Sequence, residues 1–407
     1  MKLLAIPKGE YENYRLEVIF RGYKWDPQFL DSNTIADHIL VITEKEHAEL
    51  SRLTERLAAE TAEAEAALNG NLKLAAPLAL PGQIGKELKR MKNYRADSHI
   101  RLMRFDFHPV AGGGFAVSEV NSDVPGGFAE ASLLPEIAMG VFGENMYRHI
   151  DFGGILAGAI AKKVRPGGRV MLVHCTSYSD DRQVMQFLGD KLETLGFRAI
   201  YAAADHLRFE NGAAVSLLGG NTGEIDAIFR FTPLEWLIGI KPKRWQGYFD
   251  TTTPSCNHPI AIFAQTKRFP LVWDALQKSG LELSAWRSLL PETLEVKEAK
   301  RRKDFCDFIY KPACGRVGEG ISIKEACTGD EYEKIIKDAG KHPKKYLAQK
   351  RFDSRPLSGE SGGSYHVCLG AFAVEGRAAG YYARISAKPR IDSNASDIAV
   401  LIERDGG

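Results

Sequence analysis

The sequence predicts an α/β or α+β architecture, and three observations predict it. Residues 169–204 read as strand, capped amphipathic helix, strand; residues 101–121 read as two alternating strands around a glycine-rich reversal; and the last third returns to short strands with one helix. The chain's 407 residues are enough for two or three packed units.

The N-terminus, "MKLLAIPKGEYENYR", offers only a short apolar run before Pro7, so no signal peptide is expected. No apolar run approaches membrane-spanning length, and no membrane partner is expected. Lys and Arg number 54 against 52 acids, and the net charge of +2 gives no general attraction to nucleic acid. The six cysteines, Cys175, Cys256, Cys306, Cys314, Cys327 and Cys368, lack C-x-x-C or zinc spacing and read as reduced thiols of a cytoplasmic protein.

Residues 44–68 are rich in Ala, Glu and Leu, with Leu50, Leu53, Leu57 and Leu68 near helical spacing and Asn69-Gly70 as a stop. This is a helix with a charged outer face, and its reading is structural. In "RLMRFDF" the alternation puts Arg104 and Asp106 on one strand face and Phe105 and Phe107 on the other. In "FAVSEVN" it puts Glu119 and Asn121 together. Joined by "HPVAGGG", the strands form a hairpin that gathers two carboxylates, an amide oxygen and a guanidinium. Hard oxygen ligands of this kind suit Mg²⁺. From spacing alone, a solvated face with an Arg/Asp pair is an open alternative.

"RVMLVHC", the helix "SDDRQVMQFLGDKLETLG" and "FRAIYAAA" make a β-α-β unit, and "EIDAIFRF" adds a further strand before "TPLEW". A parallel sheet with covering helices follows. The break in pattern over 239–259 places a boundary, dividing the chain into 1–92 (a helical region), 93–240 and 241–407. Beyond it "CDFIYKP", "ISIKEA", "YLAQKRF", "HVCLGAFAV" and "GRAAGYYARIS" read as strands, the last two as a hairpin turning at Glu375-Gly376. In "FIYKPACGRVGEGISI", Lys311 leaves a strand ahead of Gly315, Gly318 and Gly320, offering a cation and close-approaching amides to phosphate oxygens. It is not a Walker A loop, and a strand-loop-strand flap fits it better. Gly-rich hairpins without function are common, so on its own this signal is open.

Together these residues resemble the glutathionylspermidine synthase family, whose synthetase domain is an ATP-grasp fold with a pre-ATP-grasp unit and a circularly permuted order. The family's R-x-D and E-x-N match Arg104, Asp106, Glu119 and Asn121; its K-P-x-x-G-R-x-G matches Lys311, Pro312, Gly315, Arg316 and Gly318. "FRFTPLEWL", "TKRFPLVW" with Lys267, "YLAQKRF" with Gln349 and "GYYARIS" with Arg384 follow in family order, across roughly residues 95 to 400.

The resemblance implies an ATP-dependent carboxylate-amine ligase acting through an acylphosphate, with small-molecule acid and amine substrates. It implies Mg²⁺ at Asp106, Glu119 and Asn121, and ATP at Lys267, Lys311, Gly315, Gly318, Gly320 and Gln349, with Gln349 near the adenine edge. Arg104, Arg316 and Arg384 would stabilise charge during transfer. A nucleotide-binding module without catalysis is the alternative, and a metal-dependent hydrolase would have little use for the two lysines. In three places the chain departs from the family pattern, one of them Val317 and Glu319 in the phosphate loop, where the family has other residues. Gly126 and Gly127 stand where the family has a hydroxyl-bearing run, so glutathione is expected to be a poor substrate, and an acid that is bulkier, or one held by main-chain groups, a better one. The first 90 residues hold no cysteine, so the family's amidase half is expected to be absent.

Overall fold

The computed structural model describes residues 1–24, 28–29, 32–315, 318, 320–360 and 362–404. At its centre is a nine-stranded mixed sheet, across which Lys2–Ala5, Ile35–Thr43, Ser396–Glu403, Arg377–Ser386, Ser364–Val374, Leu102–Pro109 and Phe115–Asn121 lie side by side. Ile35–Thr43 and Ser396–Glu403 are parallel, while the hairpin strands are antiparallel. Residues 1–92 therefore supply two strands to this sheet besides their helices. "IADHILVIT" is apolar along most of its length and buried at all but two positions, as a parallel strand covered on both faces requires.

The expected helix runs Glu44–Gly70, opened by a capping box between Thr43 and Glu46. Leu50, Leu57 and Leu68 are fully buried against the central sheet. Its polar side is not all solvated. Glu60 accepts from the backbone N–H groups of Ala285 and Trp286 at 2.8 and 3.0 Å, and Glu65 pairs with Arg101 at 2.6 Å. Both glutamates are buried acceptors that tie later segments to the helix.

Arg198–Ala202, Arg169–Val173, Ala227–Arg230 and Ser255–Cys256 form the expected parallel sheet, with the helix Ser179–Thr194 as the crossover. The aperiodic stretch that follows Ala227–Arg230 folds as turns, Pro242–Arg244 and Gln246–Phe249, which bury Trp245, Tyr248 and Phe249. Large aromatics anchor it where no period does.

A third sheet pairs Phe308–Pro312 with Tyr346–Lys350, and Thr293–Leu294 joins its far edge. The helix Gly329–Lys341 covers it through Ile335 and Ala339. "ISIKEA" is not the strand expected: Lys324–Ala326 is a 3₁₀ turn. Ser322 exchanges two hydrogen bonds with Tyr310, and then Ile323 turns the chain into the next helix, whose Thr328 N-cap lies too close for a strand to continue. The C-terminal hairpin turns at Glu375-Gly376 as expected, both at positive φ. Among the described residues no helix is long and apolar enough to cross a membrane.

Candidate active site

The register of the first hairpin decides which side chains meet. Arg104 lies opposite Asn121 and Asp106 opposite Glu119, so all four share a face. Arg104 holds Asp106 by two bonds, Nε to Oδ1 at 2.8 Å and Nη2 to Oδ2 at 3.1 Å, while its Nη1 donates to the Gly126 carbonyl at 2.9 Å. The Asn121 amide donates to Asp106 Oδ2 at 3.0 Å and to Glu119 Oε1 at 3.4 Å. Glu119 Oε2 pairs with Lys267 Nζ at 2.8 Å. With Asp106 only 6% exposed, this is a buried polar cluster and not a solvated face.

Burial pushes the Asp106 carboxyl upward despite Arg104. Burial acts the same way on Glu119, but Lys267, with Lys311 and Arg104 behind it, holds that carboxyl below its ordinary range. The two acids thus differ because their cations differ.

Lys267 also reaches the glycine loop, donating to the Gly315 carbonyl at 2.5 Å. Lys311 is buried on the Phe308–Pro312 strand; its Nζ donates to Gln349 Oε1 at 2.6 Å and lies 3.4 Å from the carbonyl of Ser118. Ser118 is the bulged residue of the hairpin, since Asp106 faces Glu119 but Phe107 faces Val117. Burial lowers the Lys311 ammonium to about 8. Gly318 and Gly320 both adopt φ of 66°, and a Cβ on Gly318 would stand 2.2 Å from the Ile391 carbonyl, so that position admits only glycine. Arg316 lies outside the described residues. Arg384 donates to the Asp392 carbonyl and has its Nε 3.9 Å from Asp397 Oδ1.

Ser118, Glu119, Lys267, Lys311, Gln349 and Trp286 help line a cavity of about 20 Å³, room for roughly one water. As it stands, that space is far too small for a nucleotide. Both ends of the Gln349 amide are engaged as it stands, by Lys311 and by Thr293 at 3.1 Å.

The hairpin's donor set fits Mg²⁺. Asp106 and Glu119 are hard oxygen ligands within one bonded cluster, while Asn121 turns its amide nitrogen to both and would offer its oxygen only with the amide turned over; no group of three His, Cys, Asp or Glu side chains among the described residues could hold a metal by itself. Such an ion would complete its shell with water and phosphate oxygens, and Lys267 would have to yield part of its hold on Glu119.

The room expected at Gly126 and Gly127 is not there. Gly127 has φ of 92°, and a Cβ on it would meet three carbons of the Tyr382 ring at 2.7 to 3.0 Å. Beside it the Gly126 carbonyl is taken by Arg104. The two glycines allow close packing of a ring and do not open a pocket.

Sequence reasoning passed over several neighbours. Asp123, two residues beyond Asn121, forms a fully buried pair with Arg230. Its place beside the E-x-N motif was the available signal. Lys24, Glu130, Asp397 and Tyr382 join in a network for which no sequence signal exists.

The family model described as glutathionylspermidine synthase preATP-grasp matches residues 10–402. A glutathione synthetase-like effector from Globodera pallida, 10% identical, aligns over 97% of this chain and 98% of its own with a TM-score of 0.63, a likeness of fold. A putative gamma-glutamylcysteine synthetase from Methylobacillus flagellatus, 12% identical over 86% of this chain and 87% of its own, has a TM-score of 0.43, too low to argue from. No curated protein matches the chain significantly. The fold is a mixed α/β, ATP-grasp-like fold.

Proposed function

The chain belongs to the glutathionylspermidine synthase preATP-grasp family, and from that premise we propose that it is an ATP-dependent, Mg²⁺-requiring ligase joining a carboxylic acid to an amine through an acylphosphate. One observation carries the reading: Lys267 bridges the Glu119 carboxylate of the hairpin to the Gly315 loop, so the candidate metal ligands and the candidate phosphate loop share one cation. The circularly permuted order of the ATP-grasp elements belongs to the same proposal. It is supported by strands from residues 2–43 and 364–403 sharing one sheet with the motif hairpin, which forms the edge beside Ser364–Val374.

In this reading Lys267 and Lys311 bind the phosphate oxygens, and Gly315, Gly318 and Gly320 let backbone approach them. Asp106, Glu119 and Asn121 would hold Mg²⁺, which when bound neutralises phosphate charge. Arg104, Arg384 and Arg316 stabilise the charge that develops as the phosphoryl group passes to the acid and as the amine displaces phosphate. Fixed cations suit this work because phosphoryl transfer asks mainly for positioning and charge neutralisation. The acid and amine are not glutathione and spermidine as a favoured pair, since the hydroxyl-bearing run is replaced by Gly126 and Gly127.

Phosphate release from ATP, measured against a panel of acids and amines, tests the reading. Hydroxylamine in place of the amine should trap the activated acid as a hydroxamate. The second reading is a nucleotide-binding module without turnover. ATP-induced stabilisation with no phosphate release from any pair would decide for it.

A further inference from the structure

Lys24 is far in sequence from every motif, yet its ammonium lies 2.9 Å from Glu130 Oε1 and 2.8 Å from Asp397 Oδ2. All three side chains are buried or nearly so. Glu130 Oε1 also accepts from Gln183 Nε2 at 3.3 Å, and its Oε2 is buried without a partner. Asp397 Oδ1 accepts from the Tyr382 hydroxyl at 2.8 Å and lies 3.9 Å from Arg384 Nε. The same Tyr382 ring lies under the Arg104 guanidinium, 4.9 Å away, and packs against Gly127. One network thus runs from Lys24 through Asp397 to Arg384 on one branch and to Tyr382 and Arg104 on the other.

Two buried carboxylates here face two cations, Lys24 and Arg384. Without Lys24 one carboxylate would be uncompensated, and the charge able to answer it is Arg384. That guanidinium would be drawn from the Asp392 carbonyl toward Asp397. Any shift of Asp397 would also move the Tyr382 hydroxyl, and with it the ring beneath Arg104.

We propose that Lys24 is a positioning residue: held between Glu130 and Asp397, its ammonium keeps Arg104 and Arg384 aimed at the reacting groups. This rests on the ligase reading, in which both arginines act on developing charge. Phosphate release should be compared in the full chain as wild type, Lys24→Met, Lys24→Arg and Lys24→Ala. Lys24→Met should lower kcat about tenfold or more and leave the ATP-induced rise in Tm intact, because the arginines act in the transition state and not in nucleotide binding. Lys24→Arg should recover part of the rate, and methylammonium should restore Lys24→Ala saturably where tetramethylammonium does not. A Lys24→Met kcat within twofold of wild type, or no rescue by methylammonium, overturns the inference. If wild type itself releases no phosphate, the ligase reading fails separately. Saturable stabilisation of Lys24→Ala by methylammonium, absent in wild type, then supports the cation-held network, and its absence overturns that too.

Discussion

Replacing Gly127 with alanine tests how tightly the Arg104 centre is packed. Gly127 sits at φ 92°, ψ 33°, a left-handed conformation that costs a residue with a Cβ about 1–2 kcal/mol. The new Cβ would also stand 2.7, 2.8 and 3.0 Å from Tyr382 ring carbons, closer than ordinary contact by several tenths of an ångström. Overpacking of this kind costs about 1–3 kcal/mol. The ring cannot retreat freely, because its hydroxyl is bonded to Asp397 and its face lies against Arg104. The expected loss is therefore about 2–5 kcal/mol, read from the midpoint of urea unfolding followed by tryptophan fluorescence. Gly126→Ala is the control: its Cβ would meet only the Phe231 ring, at 3.5 Å, with no positive φ, and should cost under about 1 kcal/mol. Displacing Tyr382 removes a cation–π contact from Arg104, of order 0.5–2 kcal/mol, so phosphate release should fall by roughly 2- to 30-fold. A Gly127→Ala protein within about 0.5 kcal/mol of wild type would refute the packing argument.

Burial lowers Lys311 to about 8, below the ordinary 10.5, so the unfolded chain binds the extra proton between those values. Stability therefore gains as pH rises through that window, while phosphate binding, which needs the charged form, weakens. ATP-induced stabilisation should fall between pH 7 and pH 9 in wild type; in Lys311→Met it should be small and flat, and an unchanged wild-type response would remove Lys311 from the site. Glu119→Gln deletes a proposed metal ligand and the partner of Lys267, and should weaken Mg²⁺ binding about 10- to 100-fold by calorimetry with a non-hydrolysable ATP analogue. Asp123→Asn breaks a pair whose side chains are both fully buried, and should cost about 3–5 kcal/mol in urea unfolding. A loss below about 1 kcal/mol would show that the surrounding hydrogen bonds carry Arg230 alone.

Alternation along a strand is a local property, so Arg104 with Asp106, and Glu119 with Asn121, could be placed on shared faces before any fold was known. The reversal at "HPVAGGG" then brought the two pairs together. The helix at Glu44–Gly70 and the crossover between Arg169–Val173 and Arg198–Ala202 were legible for the same reason, because period and cap lie within one segment. Alternation over so few residues as "ISIKEA" fits a turn as well as a strand, and its bonds to Tyr310 and the cap at Thr328 choose between them.

By itself the sequence determined which residues share the hairpin face and that Lys311 leaves a strand ahead of glycines, since both depend only on neighbours along the chain. Only the tertiary structure decided which cation meets which acid: Lys267 with Glu119, Arg230 with Asp123, Lys24 with Glu130 and Asp397. It also decided that Gly127 makes way for Tyr382 and not for a substrate. The physical reason is that charge pairing and packing depend on separation in space, and chain folding brings residues hundreds apart to within a hydrogen bond while leaving no trace of that distance in their spacing.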